Sequence, residues 1–129
     1  MADNPTVLVL DDEEGLRTTM AQLLQLHGYQ TVTASTLEEA RALLGTTSIQ
    51  ALILDVGLKT GGTGLDLLRT IRERPEFDKA PVLILTGGIL APSEEMLITR
   101  SRAFLFYKPE GFETLVQFLD ELTGRDRPH

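Results

Sequence analysis

One stretch limits the fold more than any other. Ala51-Leu52-Ile53-Leu54-Asp55 sets four apolar residues in a row, closes on a carboxylate and runs into Val56-Gly57-Leu58-Lys59-Thr60-Gly61-Gly62. A strand with one wet face alternates apolar and polar residues. An unbroken apolar run predicts a strand covered on both faces, as in a parallel sheet. Thr6-Val7-Leu8-Val9-Leu10 repeats the pattern and ends in Asp11-Asp12, residues 81–85 repeat it and end in Thr86-Gly87-Gly88, and residues 103–107 end in Lys108-Pro109. Residues 30–33 supply a shorter strand.

Helical spacing fills the gaps between these strands. Residues 14–27 place Leu16, Met20, Leu23 and Leu24 on one face, with Gly28 as the expected stop. Ser35 and Glu38 stand at capping-box spacing before a helix that turns Leu37, Ala40, Leu43 and Leu44 inward and is expected to end at Gly45. Residues 64–73 bury Leu65, Leu68 and Ile71 ahead of Pro75. A poorly periodic helix is expected over 92–102. A last one, over 112–122, buries Phe112, Leu115, Val116 and Leu119 and leaves Phe118 off that face. A strand followed by a helix, five times over, predicts a parallel α/β sheet with right-handed crossovers. The 129 residues suffice for one domain over 1–129, with a core over about 6–122 and a polar tail over 123–129.

Composition narrows the chemistry. A net charge of −7 argues against direct nucleic-acid binding, which needs a basic face. The absence of cysteine excludes disulfides, thiolate catalysis and Cys-based zinc sites. The apolar runs are too short to span a bilayer and no signal peptide opens the chain, so a cytoplasmic location without membrane contact is the default expectation.

In a parallel sheet the carboxyl ends of the strands meet at one rim, which is where such sheets open their crevices. Asp11, Asp12, Asp55, Thr86 and Lys108 all belong to that rim. Taken singly, each has a plainer explanation. Asp11 or Asp12 can cap a helix, Asp55 can form a turn, Thr86 can end a strand, and Lys108 can be a solvated charge. Their convergence is the informative observation. Three carboxylates in one crevice repel, and a divalent cation relieves the repulsion; an all-oxygen donor set suits Mg²⁺ or Mn²⁺. A metal, an ammonium, a hydroxyl and a free carboxylate make a phosphoryl-transfer site, with Asp55 as the attacking group.

The segments Val7-Leu8-Val9-Leu10-Asp11-Asp12-Glu13, Leu52-Ile53-Leu54-Asp55, Leu85-Thr86-Gly87 and Lys108-Pro109 resemble the receiver domain of two-component response regulators, over nearly the whole chain from about Thr6 to Leu122. The resemblance implies a flavodoxin-like, doubly wound five-stranded sheet of order 2-1-3-4-5. It implies that Asp55 is the phospho-acceptor and that Asp11, Asp12, Asp55 and the Gly57 main-chain carbonyl hold Mg²⁺. Thr86 would be the switch hydroxyl, Lys108 would pair with a phosphoryl oxygen, and Lys108-Pro109 would be a cis peptide. The implied donor is a phosphohistidine on a histidine kinase or a histidine phosphotransfer protein, with His27 and His129 as poor substitutes. The chain would be a phosphoryl acceptor rather than a turnover enzyme.

Three departures from that pattern stand out. The loop after Asp55 carries Lys59 and Thr63 where the family usually has proline and glycine, and Gly64 follows one residue late, as after a one-residue insertion. Leu105 occupies the position of the family's switch aromatic, among Phe104, Phe106 and Tyr107. The weak fourth helix leaves the output face undefined. That face, with the fifth strand and fifth helix, is where a homodimer would form, and Phe118 belongs either to it or to a broad core. The positions that tune phosphoryl hydrolysis are glycines, Gly57 and Gly88. Among other classes, an aspartyl-phosphate phosphohydrolase would need an acid at Gly57, and a flavin binder would need a phosphate loop where Asp11-Asp12-Glu13-Glu14 stands. A phosphorylation-independent receiver-fold scaffold remains the alternative.

Overall fold

A computed structural model describes residues 4–58, 62–108 and 112–124. In chain order the elements are β1 (Thr6–Leu10), α1 (Glu14–Leu26), β2 (Gln30–Ala34), α2 (Leu37–Thr46), β3 (Ala51–Asp55), α3 (Gly64–Arg72), a 3₁₀ turn (Pro75–Phe77), β4 (Val82–Thr86), α4 (Pro92–Arg100), β5 (Phe104–Tyr107) and α5 (Phe112–Thr123). The strands form one parallel sheet in the order β2-β1-β3-β4-β5. This is the doubly wound, flavodoxin-like order implied above.

The all-apolar strands are read out residue by residue into two layers. Leu8, Leu10, Leu52, Leu54, Val82 and Ile84 face α2, α3 and α4, where Ala40, Leu44, Leu68, Ile71 and Ile98 meet them. Val7, Val9, Ile53, Leu83 and Leu85 face α1 and α5, where Met20, Leu24, Leu115, Val116 and Leu119 meet them. Successive side chains on a strand point to opposite faces, so a strand covered on both sides has no position left for a polar residue. Burying each such aliphatic side chain contributes about 2 kcal/mol, which holds the strand tips that carry the polar residues.

Several local expectations are corrected. The cap of α2 is Thr36, not Ser35: the Thr36 hydroxyl accepts the Glu39 N–H at 3.1 Å, and the Glu39 carboxylate accepts the N–H and hydroxyl of Ser35 at 2.7 and 2.8 Å. Glu39, not Glu38, is therefore the reciprocal partner, one residue along. Gly45 does not stop α2, which runs on to Thr46 before Thr47 turns extended. α4 begins with Pro92, whose missing N–H costs nothing at that position, and ends at Arg100. Arg102, with φ of 57°, turns the chain into β5. Phe118 is half-buried, with its ring 4.9 Å from that of Phe104 and 5.5 Å from that of Phe106. Its place is therefore with the core, packed against β5. Leu105 packs into the opposite layer. The expected cis bond involves Pro109 and the expected irregularity at Lys59 lies in the loop after β3; both fall outside the described residues. Among the described residues no helix is long and apolar enough to cross a membrane.

Candidate functional site

The rim residues are placed by the sheet's own hydrogen bonds. The Val56 N–H continues the β3–β4 ladder to the Leu85 carbonyl at 2.9 Å, the Lys108 N–H continues β4–β5 to the Thr86 carbonyl at 2.8 Å, and the Asp11 N–H reaches the Ala34 carbonyl at 3.1 Å. Asp11, Asp55, Thr86 and Lys108 thus leave the sheet where its backbone is still fully paired. Asp55 is 0% exposed, Asp11 2% and Thr86 4%, while Asp12 is half-buried.

Both oxygens of Asp55 are engaged. Oδ1 accepts the Gly57 N–H at 2.9 Å, and Oδ2 accepts from Lys108 Nζ at 2.9 Å. The same ammonium lies 3.7 Å from Asp11 Oδ2. One oxygen from each of Asp11, Asp12 and Asp55 lies within 4.8 Å of the others. Asp11 turns its other oxygen to the Glu13 N–H at 2.9 Å, and Arg17 donates to the Asp11 carbonyl at 2.8 Å. Arg17 lies on the polar side of α1, and nothing in its spacing announces this contact. Asp11, Asp12, Asp55 and Lys108 are therefore in one cluster, with Gly57 joined to it through its N–H.

The electrostatics are those of a crowded acidic pocket. Burial is the largest influence on the Asp11 carboxyl and raises its pKa to about 6. The Glu13 N–H opposes that shift, and the Asp55 charge reinforces it. For Lys108 the largest influence, burial, acts downward, but the hydrogen bond and charge of Asp55, with Asp11 and Glu13, outweigh it and leave the ammonium's pKa raised. Asp11 and Asp55 share the Lys108 ammonium, with the Asp12 carboxylate beside them. The donor set is all oxygen, the composition that a hard divalent cation selects.

The Thr86 hydroxyl is turned away from Asp55. It donates to the Gly88 carbonyl at 3.2 Å and lies 3.2 Å from the Gly88 N–H, which donates to it. In the β4–β5 register Thr86 stands opposite Tyr107, which is 44% exposed and two residues beyond Leu105 on the same face of the strand. A Cβ placed on Gly88 would meet nothing within 4 Å, and one on Gly57 only Asp55 Oδ1 at 3.5 Å. His27, at the other end of the sheet, caps α1 with Nδ1 2.6 Å from Asp120 Oδ2.

Comparison with known proteins follows this geometry. The family model described as "Response regulator receiver domain" matches residues 7–120. Among curated proteins, the photosynthetic apparatus regulatory protein RegA of Rhodovulum sulfidophilum is 31% identical over 88 residues, which cover 67% of this chain and 46% of RegA. The chain spans less than half the length of the first curated relatives it matches. Among solved structures, the chemotaxis protein CheY4 of Vibrio cholerae superposes with a TM-score of 0.81 at 27% identity, over 92% of this chain and 98% of that one. The response regulator TrrA of Thermotoga maritima, solved in complex with Mg²⁺-BeF, gives 0.78 at 26% identity, over 92% and 98%.

Proposed function

Because the chain belongs to the response regulator receiver domain family of two-component signal transduction, we propose that Asp55 is its phospho-acceptor. The observation that carries this reading is the double engagement of Asp55. A fully buried carboxylate at a strand tip holds one oxygen on an ammonium and the other on a main-chain N–H, beside two further carboxylates.

In the reaction a carboxylate oxygen of Asp55 forms a bond to phosphorus while the P–N bond of a donor phosphohistidine breaks and the imidazole nitrogen leaves with the electron pair. Lys108, already within 2.9 Å of Asp55 and 3.7 Å of Asp11, sits where it can follow the negative charge from the carboxylate onto the phosphoryl oxygens. Asp11, Asp12, Asp55 and the Gly57 carbonyl would hold Mg²⁺ or Mn²⁺, which supplies charge neutralisation for the transferring group. Arg17 and the Glu13 N–H fix the Asp11 turn and so orient two of these ligands. The Thr86 hydroxyl, one residue past the Asp55 partner Leu85 in the β3–β4 register, is the group that turns toward the phosphoryl oxygens.

The partners are a histidine kinase or a histidine phosphotransfer protein. The domain accepts and releases one phosphoryl group and runs no turnover chemistry of its own. A homodimer across α4, β5 and α5 draws support from the exposed Phe104, Tyr107 and Leu122 rather than from Phe118. The test is direct. The protein is mixed with acetyl phosphate and Mg²⁺, and its intact mass is measured. One phosphoryl adduct is expected on the wild type and none on Asp55→Asn. An adduct that persists in Asp55→Asn sinks the assignment.

A further inference from the structure

The chain from β3 into α3 contains a close approach that the phosphoryl chemistry does not itself require. A Cβ built on Gly64, the first residue of α3, would lie 2.5 Å from the Asp55 carbonyl oxygen and 3.1 Å from both the Asp55 carbonyl carbon and the Leu54 Cβ. Real Cβ atoms do not come this near to a backbone oxygen, so a side chain here forces something to move. The reason is not conformational, since Gly28, Gly62 and Gly124 are the glycines with positive φ among the described residues. Gly15 and Gly45 have nothing within 4 Å of a built Cβ. What Gly64 provides is room.

Neither wall of this contact can retreat. Below it, β3 is the central strand, laddered to β1 and β4 on either side, and the Val56 N–H is bonded to the Leu85 carbonyl at 2.9 Å. Above it, the start of α3 is fixed by a capping box: the Thr63 hydroxyl accepts the Leu65 N–H at 3.1 Å, and Asp66 Oδ2 accepts the Thr63 N–H at 2.9 Å. The helix is anchored beyond its first turn by Leu65, Leu67, Leu68 and Ile71, all 5% exposed or less.

We propose that Gly64 is a positioning residue for Asp55: with the Thr63–Asp66 capping box it seats the first turn of α3 on the Asp55 main chain and thereby sets how far the carboxylate projects into the rim. This rests on the reading of Asp55 as the phospho-acceptor. The carboxylate's spacing to Lys108 and to the Gly57 N–H, 2.9 Å each, is inherited from that seat.

Gly64→Ala tests it through two readouts that a purely structural role would leave alone once the protein is folded. These are the Mg²⁺ affinity by calorimetry and the rate of adduct formation from acetyl phosphate at saturating Mg²⁺. Displacing a reacting group by a fraction of an ångström is expected to slow adduct formation by about tenfold or more and to weaken Mg²⁺ binding. Ile71→Val, which loosens α3 at its far end, is expected to lower the melting temperature but keep both readouts at wild-type values. Wild-type behaviour of folded Gly64→Ala, or an equal loss in Ile71→Val, overturns the proposal. If Gly64→Ala does not fold, Asp66→Ala replaces it: freeing the helix start should lower the rate and the Mg²⁺ affinity, and unchanged values overturn the proposal. If the wild type takes no adduct at all, the acceptor reading is what fails. Mg²⁺ affinity then decides the positioning role alone, weakened in Gly64→Ala if it holds and unchanged if it does not.

Discussion

Two buried carboxylate centres stand at opposite ends of the sheet, and they are built on opposite principles. At the amino-terminal edges of the strands, Asp120 of α5 accepts from the Tyr29 hydroxyl at 2.8 Å and lies 2.6 Å from His27 Nδ1, while the Tyr29 oxygen also meets Thr123 Oγ1 at 2.9 Å. Every polar partner there answers another, and the network ties the end of α1 to α5. At the carboxyl edges, Asp11 and Asp55 share the Lys108 ammonium beside Asp12, and burial, reinforced by the Asp55 charge, raises the Asp11 carboxyl to about 6. The first centre spends its charge on holding the fold. The second buries the Asp11 carboxylate against another carboxylate at a cost in local stability, the setting that a divalent cation would relieve.

The sharpest way to break this contrast is to remove one carboxylate from each end. Asp120→Ala removes the carboxylate that accepts from the Tyr29 hydroxyl and pairs with His27, and is expected to destabilise the protein by about 2 kcal/mol, read by urea unfolding, with the phosphorylation rate unchanged. Asp11→Asn should act with the opposite sign. It relieves the crowding and is expected to stabilise the metal-free protein by about 2 kcal/mol at pH 8, while abolishing the gain in melting temperature that Mg²⁺ gives the wild type. If both variants destabilise alike, the two centres are of one kind.

The pH dependence sharpens the same point. The folded-state pKa of Asp11 lies above its ordinary value of 3.8, so the folded state binds that proton more tightly than the unfolded chain does. The penalty is fully present above about pH 6 and fades as pH falls from there toward 3.8. Metal-free wild type should therefore gain stability on mild acidification relative to Asp11→Asn, measured by unfolding from pH 8 to pH 5. Equal pH profiles would remove Asp11 as the strained member. The smallest expected effect is at the rim glycines. Gly88→Glu, entering open space, or Gly57→Asn, entering ordinary contact with Asp55 Oδ1, is expected to change the phosphoryl lifetime by about threefold, followed by adduct decay, without touching the Asp120 network.

How much of this could be read from the chain differs between the two ends for a physical reason. The rim was legible because each of its residues follows an apolar strand, and parallel strands bring their ends together whatever the details of packing. Asp11 and Lys108 stand about 300 Å of extended chain apart, and the strand pattern alone collapses that separation. The pairing of His27 with Asp120 crosses 93 residues and depends on how α5 lies against α1, which no periodicity encodes. Boundaries slipped by a residue where two hydroxyls compete, as with Ser35 and Thr36, and where a glycine such as Gly45 sits on a surface that tolerates it within a helix. The late glycine of the loop after β3 was visible as a displaced Gly64, but its contact with the Asp55 carbonyl emerges only once α3 is packed. Leu105 reads in the sequence as a missing ring; in the fold it is half-buried against the core, and the residue opposite Thr86 in register is Tyr107.

The Thr86 hydroxyl owns one proton, and the Gly88 carbonyl has it. A phosphoryl oxygen that claims the same proton leaves that carbonyl to find another donor, so the two arrangements exclude each other as the positions of a toggle do. Ile89, wholly in solvent one residue further on, would ride the arm of such a toggle. The news of a charge arriving at the centre of the sheet would thus be delivered to the surface by the arithmetic of a single hydrogen atom.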